Sequence, residues 1–111
     1  MKSGICAALS MSLWLGLTTH AVAETQDAMI KLFQYQPKTL AIKAGTTVKW
    51  TNGDDIEHSV TAGEPGKESG VFDSGFFVKD GTYEHTFTKP GTYNYFCKRH
   101  NGIKGSVTVT P

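Results

Sequence analysis

An antiparallel β-sandwich is what this sequence predicts, and three features predict it. Short runs alternate apolar and polar residues with a period of two and are rich in Val, Thr, Tyr and Phe, the pattern of half-buried strands. Gly and Pro separate these runs at turn spacing. No stretch of ten or more residues combines a helical period with caps.

The N-terminal stretch, residues 1–23, stands apart from that pattern. "MK" supplies a positive start, "ICAALSMSLWLGL" is an apolar run of thirteen residues, and "AVA" places small residues at a cleavage site. This is the anatomy of a secretory signal peptide cut after Ala23. The run is too short for a membrane-spanning helix, which needs roughly 20 apolar residues. The mature chain, residues 24–111, is then 88 residues long, enough for one domain with a single core.

Along the mature chain, "MIKLFQY" sets Ile30 and Leu32 against Lys31 and Phe33 and reads as a first strand ended by Pro37, with Met29 in the core. "KTLAIK" aligns Leu40 and Ile42, and "TTVKWTN" aligns Val48 and Trp50 as core residues. In "WTNGDDIEHSV" a strand ends at Asn52, a polar turn follows, and a strand resumes with His58 and Val60 on one face. Asp54, Asp55 and Glu57 read as a solvated loop or an acidic rim. "TAGEPGKESG", Thr61 to Gly70, reads as a loop with at most one helical turn. "TYEHTFT" aligns Tyr83, His85 and Phe87, which makes His85 a core or edge residue rather than a ligand. "KPGTYNYFC" opens on a Pro90–Gly91 turn and aligns Tyr93, Tyr95 and Cys97. "SVTVT" closes the chain with Val107 and Val109. About seven strands in so short a chain fit a sandwich, with a closed barrel as the rival.

Charge narrows the function. The full chain carries eleven Lys and Arg against ten Asp and Glu, and losing Lys2 with the leader leaves ten against ten. A balanced chain with no polybasic block gives no footprint for nucleic acid.

Cysteine usage narrows it further. Cys6 leaves with the leader, so Cys97 is alone in a compartment where thiols oxidise. Such a residue is a quiet core thiol or is protected by a metal. Cys97 and His100 stand at C-x2-H spacing, and His58 is the natural third member. A His2Cys set suits a trigonal copper site of the electron-transfer kind, because thiolate favours Cu(I) and imidazole serves both oxidation states. Spacing alone leaves four readings open. They are copper, an inert buried Cys, zinc, and a Cys–His nucleophile. Structural zinc takes four ligands, often with two or more Cys, and one Cys is available here. A chain this small has little room for a substrate cleft, which argues against an enzyme.

Four stretches then carry a resemblance over nearly the whole mature chain: "FQYQP", "AGTTVKWTNGDDIEHSV", "FDSGFF" and "KPGTYNYFCKRHNGIKGSVTV". In their order and spacing the chain resembles the cupredoxins, the plastocyanin/azurin-like small blue copper proteins, amicyanin and pseudoazurin in particular. The resemblance implies a Greek-key sandwich with one copper ion near one end. It implies that His58, Cys97 and His100 bind that copper and that Asn52 fixes the loop beside the Cys ligand. It also implies a periplasmic, non-enzymatic carrier that cycles Cu(I)/Cu(II). The expected partner is a redox protein, acidic at its docking face because Lys98 and Arg99 flank the apolar edge of His100. Neither nucleic acid nor, after leader removal, a membrane span is expected, and the chain is expected to be a monomer.

One position departs from the family pattern. In amicyanin-like loops, C-x2-H-x2-M, the weak axial Met falls at Ile103; in the longer C-x2-H-x4-M loop it falls at Gly105. Neither has a donor side chain. The expected site is three-coordinate, with the Glu57 backbone carbonyl as a distant fourth group, and biased to Cu(I). That bias admits an alternative function in copper storage, delivery or assembly. A metal-free interaction module on the same frame is a further alternative.

Overall fold

The computed structural model describes residues 23–111. The signal-peptide reading and Cys6 fall almost wholly outside these residues. Nine strands form among them: β1 (Thr25–Lys31), β2 (Gln34–Gln36), β3 (Thr39–Lys43), β4 (Thr46–Asn52), β5 (Thr61–Glu64), β6 (Lys67–Asp73), β7 (Thr82–Phe87), β8 (Gly91–Phe96) and β9 (Lys104–Thr110). They make two sheets, β2-β1-β4-β7 and β3-β9-β8-β5-β6. The all-β sandwich is therefore the observed architecture, not a closed barrel. The chain changes sheet at β2–β3, β3–β4, β4–β5, β6–β7 and β7–β8, crossing over as in a Greek key. The sheets are mixed rather than purely antiparallel: β1 runs parallel to β4 and β3 parallel to β9. Alternation reports which face a residue takes, not the direction of its neighbour, so the pattern could not distinguish these pairings.

The alternating faces meet as expected. In β4 every second residue, Thr46, Val48, Trp50 and Asn52, is buried. Leu40 and Ile42 from β3 and Val107 and Val109 from β9 close the other layer. Trp50 is wholly buried at the centre, with ring centroids of Tyr95 at 5.4 Å, Tyr83 at 6.0 Å, Phe72 at 6.2 Å and Phe87 at 6.5 Å. Offset and edge-on aromatic packing of this kind adds to the area it buries.

Three local expectations are corrected. The first strand stops at Lys31, because Lys31 pairs with Gln34 and leaves Leu32 and Phe33 as a two-residue hairpin turn. Both turn residues are left-handed (φ 56° and 57°) and exposed. Met29 is 42% exposed and not core, since it takes the outward face of β1 while Ala28 and Ile30 take the inward one. The stretch from Thr61 to Gly70 is not a loop. It forms the β5–β6 hairpin, turning at Pro65–Gly66, with a register shift between Thr61 and Gly63. A Cβ at Gly63, where φ is +113°, would come within 2.6 Å of the Lys67 carbonyl and the Ser69 amide, so glycine is required there. That bulge is what hides the strand from a period-two reading.

Asp73, at the end of β6, ties this hairpin to the end of the sandwich where β8 and β9 join. Its Oδ1 accepts from the Thr61 hydroxyl and the Gly75 amide, both at 3.0 Å, and its Oδ2 accepts from Lys98 Nζ at 2.6 Å. Burial pushes the carboxyl up, but the bonds from Lys98, Gly75 and Thr61 together outweigh it and hold it below the usual carboxylate value.

Two outcomes follow from this packing. Trp50→Ala should remove about 3–5 kcal/mol of stability, read as a lower urea midpoint, and a loss below about 1 kcal/mol would contradict the central role given to Trp50. Because the Asp73 carboxyl is depressed in the folded chain, its contribution is complete above the unfolded value of about 3.9 and disappears as pH falls through the folded one. Thermal melting from pH 6 down to pH 2.5 should therefore show a smaller acid-induced loss in Asp73→Asn than in the wild type.

Candidate metal centre

His58 lies in the connection between β4 and β5, and a chain of hydrogen bonds from Asn52 shapes that connection. The buried Asn52 amide donates to the carbonyls of Ile56 and Phe77, both at 2.9 Å, and its oxygen accepts from the Asp54 amide at 2.9 Å. His58 then bridges to Phe77 through its backbone, with no strand around it. A strand does not resume at His58 because Asn52 bends the chain to make this crossing.

The His58 ring is fully buried, and its two nitrogens have different partners. Nε2 lies 2.9 Å from Asp54 Oδ2, and Nδ1 lies 3.7 Å from Cys97 Sγ. Burial pushes the Asp54 carboxyl up, but bonds from the Phe33 amide, His58 and the Leu32 amide hold it below its ordinary range. An ionised carboxylate only accepts, so Nε2 is the donor in this contact and Nδ1 is the nitrogen turned toward Cys97.

The second segment follows β8. The Cys97 amide donates to the Ile103 carbonyl at 3.1 Å, and the Ile103 amide donates to the His100 carbonyl at 2.9 Å, which closes the loop on itself. Cys97 is a free, fully buried thiol that accepts from the Ser59 amide at 3.4 Å. Ser59 Oγ in turn accepts from the Lys98 amide at 2.9 Å. Sequence reasoning assigned the loop-fixing role beside Cys97 to Asn52. Asn52 does fix its loop, but the residue that touches Cys97 is Ser59, which was missed and could have been sought as the residue directly after His58.

His58, Cys97 and His100 thus come together, with one donor atom from each lying within 4.8 Å of the others. His85 does not join them. It packs against Phe72 at 4.8 Å and Phe87 at 4.7 Å, where burial pushes its pKa down. Ile103 is buried in the core at the end of the ligand loop. Gly105 already belongs to β9 and faces Tyr95, whose ring would lie 2.7 Å from any Cβ there.

The rim joins both segments. The Phe33 ring stands edge-on to His58 at 5.6 Å and to His100 at 5.2 Å, a contact not foreseen while Phe33 was read as a strand residue. Lys98 pairs with Asp73 at 2.6 Å and Glu68 at 3.8 Å. Arg99 pairs with Glu57 at 3.2 Å and lies over the Phe76 ring at 5.4 Å. Both cations that flank the His100 edge are thus paired within the chain.

The donor set passes the test for a metal. Among the described residues, His100 Nδ1 is buried with no hydrogen-bond partner and converges with His58 and Cys97, whose Nδ1 and Sγ lie 3.7 Å apart. Two imidazoles and one thiolate fit copper and leave a tetrahedral zinc site one ligand short.

Comparison with known proteins agrees. The family model for copper binding proteins of the plastocyanin/azurin family matches residues 21–110. The chain is 36% identical over 91 residues to amicyanin-alpha of Methylorubrum extorquens, covering 81% of this chain and 76% of that one. It is 34% identical to plastocyanin of Scenedesmus fuscus over 83 residues, covering 68% of this chain and 85% of that one. Its fold superposes on a purple cupredoxin from Nitrosopumilus maritimus with a TM-score of 0.71 and 32% identity, covering 77% of this chain and 99% of that one. A fold of two packed sheets, a His–Cys–His cluster at one end and a family match over almost the whole described chain lead to one conclusion: the chain belongs to the plastocyanin/azurin family of copper binding proteins.

Proposed function

We propose that the chain is an exported, periplasmic electron carrier, not an enzyme, that holds one copper ion through His58, Cys97 and His100. The observation that carries this reading is the convergence of three donor atoms within 4.8 Å, one of them a buried imidazole nitrogen with no other partner. Copper, when bound, supplies a one-electron couple between Cu(I) and Cu(II). The chain's own residues supply the rest. Asp54 keeps the proton on the far side of the His58 ring, and the Ser59 amide supports the thiolate. The closed 97–103 loop limits rearrangement between oxidation states.

His100 is the least buried of the three, and the exposed rings of Phe33 and Phe76 lie on its side of the molecule. A redox partner would meet the site there, through apolar contact. An acidic partner finds Lys98 and Arg99 already paired with Asp73, Glu68 and Glu57, so charge plays a smaller part than the isolated sequence suggested. Residues 1–23 would act as the export signal and residues 24–111 as the working domain, a monomer. No helix among the described residues is long and apolar enough to cross a membrane.

At Ile103 the family's thioether gives way to a buried aliphatic side chain. We infer a three-ligand site of raised potential, since loss of an axial donor and added hydrophobicity both favour Cu(I). The same bias would suit a copper-delivery protein, which differs from a carrier in releasing the metal on oxidation.

Adding Cu(II) to the copper-free mature domain should produce an intense visible thiolate-to-copper band and one bound equivalent, retained through repeated reduction and oxidation. Cys97→Ser should abolish the band. Absence of the band in the wild type would refute the carrier reading, and loss of copper on oxidation would favour delivery. In the loaded protein, Ile103→Met should lower the reduction potential; an unchanged or higher value would overturn the three-ligand account.

A further inference from the structure

The Leu32–Phe33 turn is an improbable one for its sequence. A two-residue hairpin with both central residues left-handed favours Asn-Gly, because side chains larger than Asn crowd the backbone in that conformation. Here the two positions carry Leu and Phe, at φ 56° and 57°. Something outside the hairpin must hold them. The contacts name it: Leu32 N–H donates to Asp54 Oδ1 at 2.9 Å, and Phe33 N–H donates to Asp54 Oδ2 at 3.0 Å.

The same Oδ2 accepts from His58 Nε2 at 2.9 Å. One carboxylate therefore serves the turn and the buried imidazole together. Asp54 is itself anchored, through its own amide to Asn52 Oδ1, and its side chain is only 11% exposed. Two further bonds, Gly53 N–H to the Ile30 carbonyl at 2.7 Å and Lys31 Nζ to the Gly53 carbonyl at 3.0 Å, hold the end of β1 against this loop. Neither reaches the turn amides. The turn in turn places the Phe33 ring against both His58 and His100.

We propose that Asp54 is a positioning residue that couples the rim to the metal centre: its carboxylate aims Nδ1 of His58 at Cys97 and pins the left-handed Leu32–Phe33 turn beside His100. The role given to His58 rests on the copper reading above; the role given to the turn does not. An acidic residue that sequence alone placed in a solvated loop becomes the joint between the surface a partner touches and a ligand it never touches. The two duties share an oxygen atom, so a change that releases one releases the other.

The test uses three forms of the mature domain: wild type, the near-isosteric Asp54→Asn, and Asp54→Ala combined with Leu32→Asn and Phe33→Gly, a pair that suits the turn without help. Copper-free samples are read by nitrogen-resolved NMR of the His58 ring and by hydrogen exchange at the amides of residues 32 and 33. Copper-loaded samples are read by visible and paramagnetic resonance spectra. Asp54→Asn should speed exchange at both amides about tenfold or more, since each loses a bond to a charged acceptor. It should also shift the His58 Nε2–H signal and alter the copper spectrum. The triple variant should recover the left-handed turn, read from the backbone chemical shifts of residues 32 and 33, while their amides exchange fast and His58 and the spectrum stay perturbed. The proposal is overturned if Asp54→Asn loosens the turn without moving the His58 signal, moves that signal without loosening the turn, or changes neither. Because the ring and amide readouts need no metal, they decide the role of Asp54 separately. Failure of the wild type to bind copper at all would instead strike at the proposed function.

Discussion

The centre depends on Ser59 joining two segments that lie far apart in sequence. Its amide donates to the Cys97 sulfur across 38 residues, its hydroxyl accepts from the Lys98 amide, and its carbonyl accepts from the Tyr35 hydroxyl at 2.6 Å. Ser59 is fully buried, so each of these groups would be costly to leave unpaired. Burial also pushes the Tyr35 phenol well above its ordinary pKa, with the nearby Cys97 and Tyr95 adding to the effect, which keeps it a donor. Through one small residue the His58 connection, the ligand loop and strand β2 are held in a single register.

The rest of the sandwich gives that register something rigid to stand on. Cys97 follows directly on β8, and β8 is held in line with β9 from Gly91 to Phe96. Tyr95 lies flat over Gly105 at this pairing, which sets where β9 can start and so how long the ligand loop can be. Trp50 fills the space behind, against Tyr95 and Phe72. The site end is thus built from strand ends and tight connections whose positions follow from core packing, an arrangement suited to a centre that should move little as its charge changes.

Charge at the same end is arranged for placement more than for stability. Pairs such as Lys98–Asp73 and Arg99–Glu57 are partly exposed, and exposed pairs contribute little net energy. They do set positions. Lys98 ties the ligand loop to the end of β6, and Arg99 joins the residue before His58 to the residue before Phe77. The two cations look free in the sequence because their partners lie 25 and 42 residues away.

How much was readable from the chain follows from the range of each interaction. Alternation exposed the faces of β3, β4, β7, β8 and β9, because a strand's period is local. That His58, Cys97 and His100 would cluster could be anticipated because metal chemistry restricts residue type and a family pattern restricts spacing. The turn at Leu32–Phe33 and the β5–β6 hairpin were not. The turn contradicts local preference and is bonded to a carboxylate 21 and 22 residues away, and the hairpin interrupts its own alternation with a bulge. By itself, then, the sequence determined the all-β class, the residue types of the His–Cys–His cluster and the aliphatic side chain at position 103, all properties of residues and their near neighbours. Only the tertiary structure decided which strands run parallel, that Ser59 rather than Asn52 meets the thiol, and that Asp54 links the rim to His58. Those outcomes depend on atoms brought together across the fold, and no local pattern records them.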